Sequence, residues 1–286
     1  MVSNIFSVVL AFAAVASAQN CSLQFNGRLP AGANPSSFDA KTSLFDSGSV
    51  FGKNLTWGSI IQIPAVTASL FDAKVGSIPF EVTISDQSIF APSATNVQTG
   101  FRRAELLPAS NNGSDPSTLG IKTLHFSLMK DAARPLNTSH EYQLVFVETA
   151  DFSTNQFALK TGTISGLTGD PNQLVLQSNV RNATTLFATP FTAGTFHNFG
   201  LVLDFTKNTT QVLYSTGNTA LAPVTGAVAN DISGRGQFHF GMLKKPTGSN
   251  LKDITKEGFQ PSNINEGIIY GGIFQEDSST GCMTLQ

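Results

Sequence analysis

The sequence is poor in charge. Asp, Glu, Lys and Arg supply 13% of its 286 residues, against about 25% in ordinary globular proteins. The formal net charge is −2, which offers little attraction to nucleic acid or an anionic membrane. Neither is expected as a partner, and an uncharged polymer suits such a surface better. The chain has two cysteines, four histidines and one tryptophan. No His/Cys cluster has zinc spacing, and the H-E-x-x-H, G-x-S-x-G and P-loop patterns are missing. No metal and no cofactor are expected. No Pro/Ser/Gly-rich linker or repeat period divides the chain, so a single domain is expected. The expected state is a monomer.

What is present begins with an apolar stretch. Residues 1–18, MVSNIFSVVLAFAAVASA, contain no Asp, Glu, Lys or Arg and end in Ala16-Ser17-Ala18. Small residues in that pattern mark signal-peptide cleavage. The apolar run is shorter than the roughly 20 residues of a membrane span. A secreted, extracellular chain starting at Gln19 is expected, with residues 19–286 forming the domain. In an oxidising compartment Cys21 and Cys282 should pair. Closing so long a loop stabilises by up to about 5 kcal/mol in the chain-entropy model. It also requires the two ends of the chain to be neighbours. Sequons occur at Asn20, Asn54, Asn112, Asn137, Asn182 and Asn208. Asn20 directly precedes Cys21 and is the poorest acceptor. The other five are expected as N-glycosylation sites on surface loops.

Strand signals dominate the remainder. FEVTIS (80–85), TLHFSLM (123–129), EYQLVFVET (141–149), FGLVLDF (199–205), TQVLYST (210–216), GQFHFGML (236–243) and GIIYGGIF (267–274) are separated by turn clusters such as SGLTGDPN and DISGRG. No window shows a clear helical period, and the many phenylalanines suit a pleated core. The fold class predicted is all-β, an antiparallel sandwich or jelly roll with a concave cleft face. Alternation then assigns faces. Phe238 and Phe240 claim the core, which turns Gln237 and His239 outward. Arg103 and Glu105 share a face. Tyr142, Leu144, Phe146 and Glu148 share another, opposite Val145 and Val147.

Glu105, Glu148 and His239 are therefore placed to converge on one surface. Breaking a glycosidic bond usually takes an acid and a base or nucleophile. A carboxyl beside Arg103 has its charged form favoured, so Glu105 suits the base or nucleophile, with Glu148 or His239 as acid. Blander alternatives stand beside each. Arg103–Glu105 is equally a solvated ion pair, His239 a structural histidine, and Glu148 a strand end. Lys244-Lys245-Pro246 reads as a solvated turn. Trp57 either stacks on a sugar ring or plugs the core. A copper-dependent polysaccharide monooxygenase needs histidine at the mature N-terminus, where this chain has Gln19.

QTGFRRAEL, KTLHFS, PLNTSHEY, the Asn-Phe-Gly of FHNFG, GQFHFGMLKKPTG and NEGIIYGGIFQEDS together resemble glycoside hydrolase family 131. The resemblance runs from about residue 22 to the C-terminus. It implies a secreted fungal β-glucanase with a β-jelly-roll fold, acting on β-1,3-, β-1,4- and β-1,6-linked glucans of plant or fungal cell walls. It implies Glu105 and His239 as the catalytic pair, with Glu148 at a further acidic position. Arg103, Gln237 and Trp57 are expected to bind sugar hydroxyls or rings. Phe146-Val147 departs from the Trp-His of other members. A non-catalytic glucan-binding protein on the same fold is the alternative.

Overall fold

The structure, a computed structural model, describes residues 21–48 and 50–286. The expected signal peptide and the Asn20 sequon lie outside the described residues. Alternating apolar residues build two main antiparallel sheets, beside a two-stranded one of Leu29–Pro30 and Ser77–Ile78. The larger runs in the order Ala222–Pro223, Thr209–Thr216, His197–Asp204, Ile121–Lys130, Asn265–Asp277, Phe80–Ser85, Ile61–Gln62. Leu23–Asn26 joins it at Asn265–Asp277, and Val228–Ala229 at Thr209–Thr216. The smaller runs Thr185–Pro190, Gln173–Gln177, Asn155–Gly162, Glu141–Glu148, Gln237–Lys244, Arg102–Leu106. The seven strands read from sequence are all present, with ends moved by up to three residues. The strands Asn155–Gly162, Gln173–Gln177 and Thr185–Pro190 fall outside those readings.

The core lies between the sheets and is rich in phenylalanine. Phe126 of the larger sheet meets Phe199 beside it (5.1 Å) and Phe240 of the smaller sheet (6.3 Å). Such pairs add about 0.5–1.5 kcal/mol each beyond burial of their area. Cys21 and Cys282 form the expected disulfide, with Cα atoms 5.6 Å apart. Beside it, Leu23–Asn26 pairs with Asn265–Asp277, which ties both ends of the domain to one strand. Asn54, Asn112, Asn137 and Asn182 are exposed, and Asn208 is half-buried.

Three expectations are corrected. Trp57 does not face solvent. It is 0% exposed, packs against Phe51 (4.8 Å) and donates its Nε1–H to Asp46 O (3.2 Å). The indole is a core plug, and it offers no surface to a sugar. Lys244 is not in a solvated turn: it ends a strand, is fully buried, and pairs with Glu266. Tyr142 and Leu144 do not share a face with Phe146 and Glu148. Register shifts between Gln143 and Val145, and opposite them between Phe240 and Leu243, interrupt the alternation. As a result Tyr142, Leu144, Val145 and Val147 all join the core.

Candidate active site

The site forms on the smaller sheet's face turned away from the core. On the edge strand Arg102–Leu106, Ala104 and Leu106 enter the core while Arg103 and Glu105 face outward. On its neighbour Gln237–Lys244, Phe238, Phe240 and Met242 enter the core and His239 faces outward. The next strand pairs Glu148 with Gln237 and Phe146 with His239. Three adjacent strands thus bring Glu105, His239 and Glu148 together. His239 Nδ1 lies 2.9 Å from Glu105 Oε2, and His239 Nε2 lies 3.6 Å from Glu148 Oε2. The Phe146 ring stacks on the imidazole at 4.3 Å and 14°.

Glu105 is completely buried. Burial alone would push its carboxyl up, but Arg103 and His239 more than offset this and hold it below the ordinary range. Arg103 grips it with two bonds, Nε to Oε1 at 2.7 Å and Nη2 to Oε2 at 2.6 Å. The remaining arm, Nη1, donates to Gln98 Oε1 (3.0 Å). An ionised Glu105 accepts the proton of Nδ1–H, which leaves Nε2 turned to Glu148. Glu148 differs in kind. Burial raises its carboxyl above the ordinary range, and the nearby Glu105 charge adds to that, against His239. Its side chain is 28% exposed, so it reaches the open face. The site therefore holds one sealed carboxyl whose charged form is favoured and one more accessible carboxyl whose charged form is disfavoured.

The backbone around His239 is fixed from three sides. At Gly236 a Cβ would fall 1.8 Å from Glu148 O, and at Gly241 one would fall 2.1 Å from Ala104 O. Both neighbouring strands therefore approach closely only because these positions are glycine. Tyr270 crosses the core from the other sheet, its hydroxyl 2.9 Å from Leu144 O and 2.8 Å from Gly241 O. It thereby pins both shifted segments. Asn111, 2% exposed, acts as a surrogate strand: Phe238 N donates to its Oδ1 (2.7 Å) and its Nδ2 donates to Gly236 O (3.2 Å). Sequence reasoning missed Asn111 and Tyr270. One sits in a polar loop and the other in an apolar strand, and no local signal marks either as supporting the site.

Beside Glu148 opens a cavity of 170 Å³ lined by Asn112, Glu148, Thr149, Phe152 and Gln237 among others. Gln237, expected to bind sugar, does line it, while donating Nε2–H to Asn111 O (2.9 Å). Arg103 does not line it. With 8% exposure and its forked edge on Glu105, Arg103 holds a carboxylate rather than a sugar. Phe146 is 2% exposed, its face covered by His239, and Val147 lies in the core. Neither residue of that departure from the family pattern is a sugar platform. Among the described residues, no group of three or more His, Cys, Asp or Glu side chains is arranged to hold a metal ion.

A family model described as the glycoside hydrolase 131 catalytic N-terminal domain matches residues 23–281. The fold is similar to a GH131 β-glucanase catalytic domain from Podospora anserina, with TM-score 0.71 and 20% identity over 93% of this chain and 98% of that one. It is also similar to the catalytic domain of a glycoside hydrolase family 131 protein from Coprinopsis cinerea, with TM-score 0.66 and 21% identity over 93% and 97%. No curated protein matches the chain by sequence.

Proposed function

The chain belongs to glycoside hydrolase family 131, and from that premise we propose that it is a secreted β-glucanase acting on β-1,3-, β-1,4- and β-1,6-linked glucans of plant or fungal cell walls. The observation that carries the proposal is the line Glu105–His239–Glu148, with its 2.9 and 3.6 Å spacings. Glu148 is the general acid. It is accessible, and its burial favours the protonated form that a departing glycosidic oxygen needs. His239 is the general base: Glu105 fixes its tautomer, and the Nε2 lone pair accepts a proton from the attacking water. Glu105 is sealed from any substrate and acts through His239, as a positioning residue rather than as nucleophile.

The 3.6 Å between acid and base leaves no space for a sugar and a water. Inverting pairs stand roughly 6.5–9.5 Å apart. Substrate entry therefore parts them. Glu148 is the member free to move, since His239 is clamped between Glu105 and Phe146. An inverting outcome is proposed, because the ionised Glu105 cannot reach an anomeric carbon. The disulfide supports an oxidising, extracellular destination, and the neutral, weakly charged composition supports an uncharged polymer as substrate.

Reducing-sugar release from laminarin, lichenan and carboxymethyl cellulose tests this. Wild type is expected to release sugar, and Glu105→Ala, His239→Ala and Glu148→Ala each to lose about 10²–10⁴-fold. A Glu148→Ala protein as active as wild type removes Glu148 from the mechanism. Glucan binding without release over long incubation indicates instead a non-catalytic binding protein on this fold.

A further inference from the structure

The cavity beside Glu148 is bounded by a short loop, residues 149–154, which its own side chains hold in place. Asp151 Oδ1 accepts from Thr149 Oγ1 (2.7 Å), Ser153 N (3.1 Å) and Ser153 Oγ (2.7 Å). Phe152 N donates to Thr149 O (2.8 Å), and Arg181 Nη2 braces Ser153 Oγ (2.7 Å). At the tip, Phe152 has φ = 57° and is 73% exposed. Left-handed backbone is unfavourable for a bulky side chain. A ring left in water also forgoes about 1.5–3 kcal/mol of burial. Folding gains nothing from either feature, yet five hydrogen bonds maintain them. The ring lines the same cavity as Glu148 and Gln237, four residues past the carboxyl that would protonate the scissile bond.

A β-linked glucose unit presents flat C–H faces, which are apolar, and hydroxyls around its rim. A rigid exposed aromatic ring matches the face, and the amide of Gln237 beside it matches the rim. We infer that Phe152 is a sugar-stacking platform that holds a glucose unit of the glucan chain next to the one cleaved, on the Glu148 side of the site. Its pre-set backbone lets the chain bind without ordering the loop. This inference rests on the β-glucanase reading of the same site.

Steady-state kinetics of wild type, Phe152→Ala and Phe152→Trp on lichenan or laminarin and on a trisaccharide test it. Affinity electrophoresis in gels containing the same glucans reads binding without turnover. Phe152→Ala is expected to raise KM on the polymer roughly tenfold with kcat within twofold. Its retardation in the gel should fall to match, and Phe152→Trp should restore both. The trisaccharide, which must also place a unit on the ring to be cleaved, should show a KM rise of similar size. The side chain is exposed, so the melting midpoint of Phe152→Ala should equal or exceed that of wild type. Unchanged KM and unchanged gel mobility in Phe152→Ala, with wild type active, overturn the platform and leave the glucanase standing. A fall in kcat with unchanged KM on both substrates also overturns it, in favour of a role at the cleaved bond. A wild type that neither binds nor cleaves any of these glucans removes the glucanase and this inference with it.

Discussion

At the scale of the residue, two carboxyls a few ångströms apart are driven in opposite directions by their neighbours. Glu105 is more deeply buried, yet its charged form is favoured because Arg103 supplies two charged donors and His239 an N–H. Removing Arg103 leaves a buried charge unpaired, which costs about 3–5 kcal/mol. Arg103→Ala should show that loss in urea unfolding. Because the folded Glu105 is depressed below its ordinary 4.5, the stability it contributes is present above that value and is lost as pH falls through the folded value. Glu148 has the opposite sign. Its folded carboxyl is raised, so ionising it opposes folding at neutral and alkaline pH, and the penalty disappears on acidification. Glu148→Gln should therefore melt above wild type at pH 8, with the gap closing toward pH 4, while activity falls. A lower melting midpoint at pH 8 contradicts this assignment.

At the scale of the element, the site depends on two strands whose regular alternation is broken. Tyr270 holds Leu144 O and Gly241 O across the core. Tyr270→Phe deprives both buried carbonyls of that donor, at about 1–3 kcal/mol. Thermal melting should show the loss, and activity should fall with it because His239 lies on the same strand. Gly236→Ala forces a methyl into Glu148 O and should cost about 3 kcal/mol or more. The outward turn of His239 was legible in Phe238 and Phe240, because those rings have a single dry place to go. The sharing of a face by Arg103 and Glu105 was legible from strand alternation alone. The other strand was misread at Tyr142 and Leu144, since a bulge is a pairing event between strands and leaves no local signature. Asn111 was invisible because its bonds go to residues about 125 positions away.

At the scale of the whole molecule, the fold class was written in short alternating runs, and the disulfide in the placement of two cysteines in an otherwise cysteine-free chain. Whether an ion pair or an indole is wet was not written there. Arg103–Glu105 is buried beneath Gln98 and Phe90 of the preceding loop and beside His239, and Lys244 beside Glu266 and Tyr142, while Trp57 is enclosed by Phe51 and the Asp46 carbonyl. The Cys21–Cys282 bond closes a loop spanning 261 positions. A Cys21→Ser/Cys282→Ser protein should lose up to about 5 kcal/mol, or up to about 10–20 °C of melting midpoint, with the glycosidase site itself intact below that temperature. A midpoint unchanged from wild type means that strand pairing alone secures the ends. The central claim is that Glu148 hands its proton to the leaving oxygen while His239, held by Glu105, activates water. The most direct measurement compares Glu148→Gln and His239→Ala on a β-glucan and on an aryl β-glucoside whose phenolate departs without protonation. The account predicts that Glu148→Gln is severely impaired on the glucan but recovers most of its loss on the aryl substrate, whereas His239→Ala is impaired on both. Equal impairment of Glu148→Gln on the two substrates contradicts it.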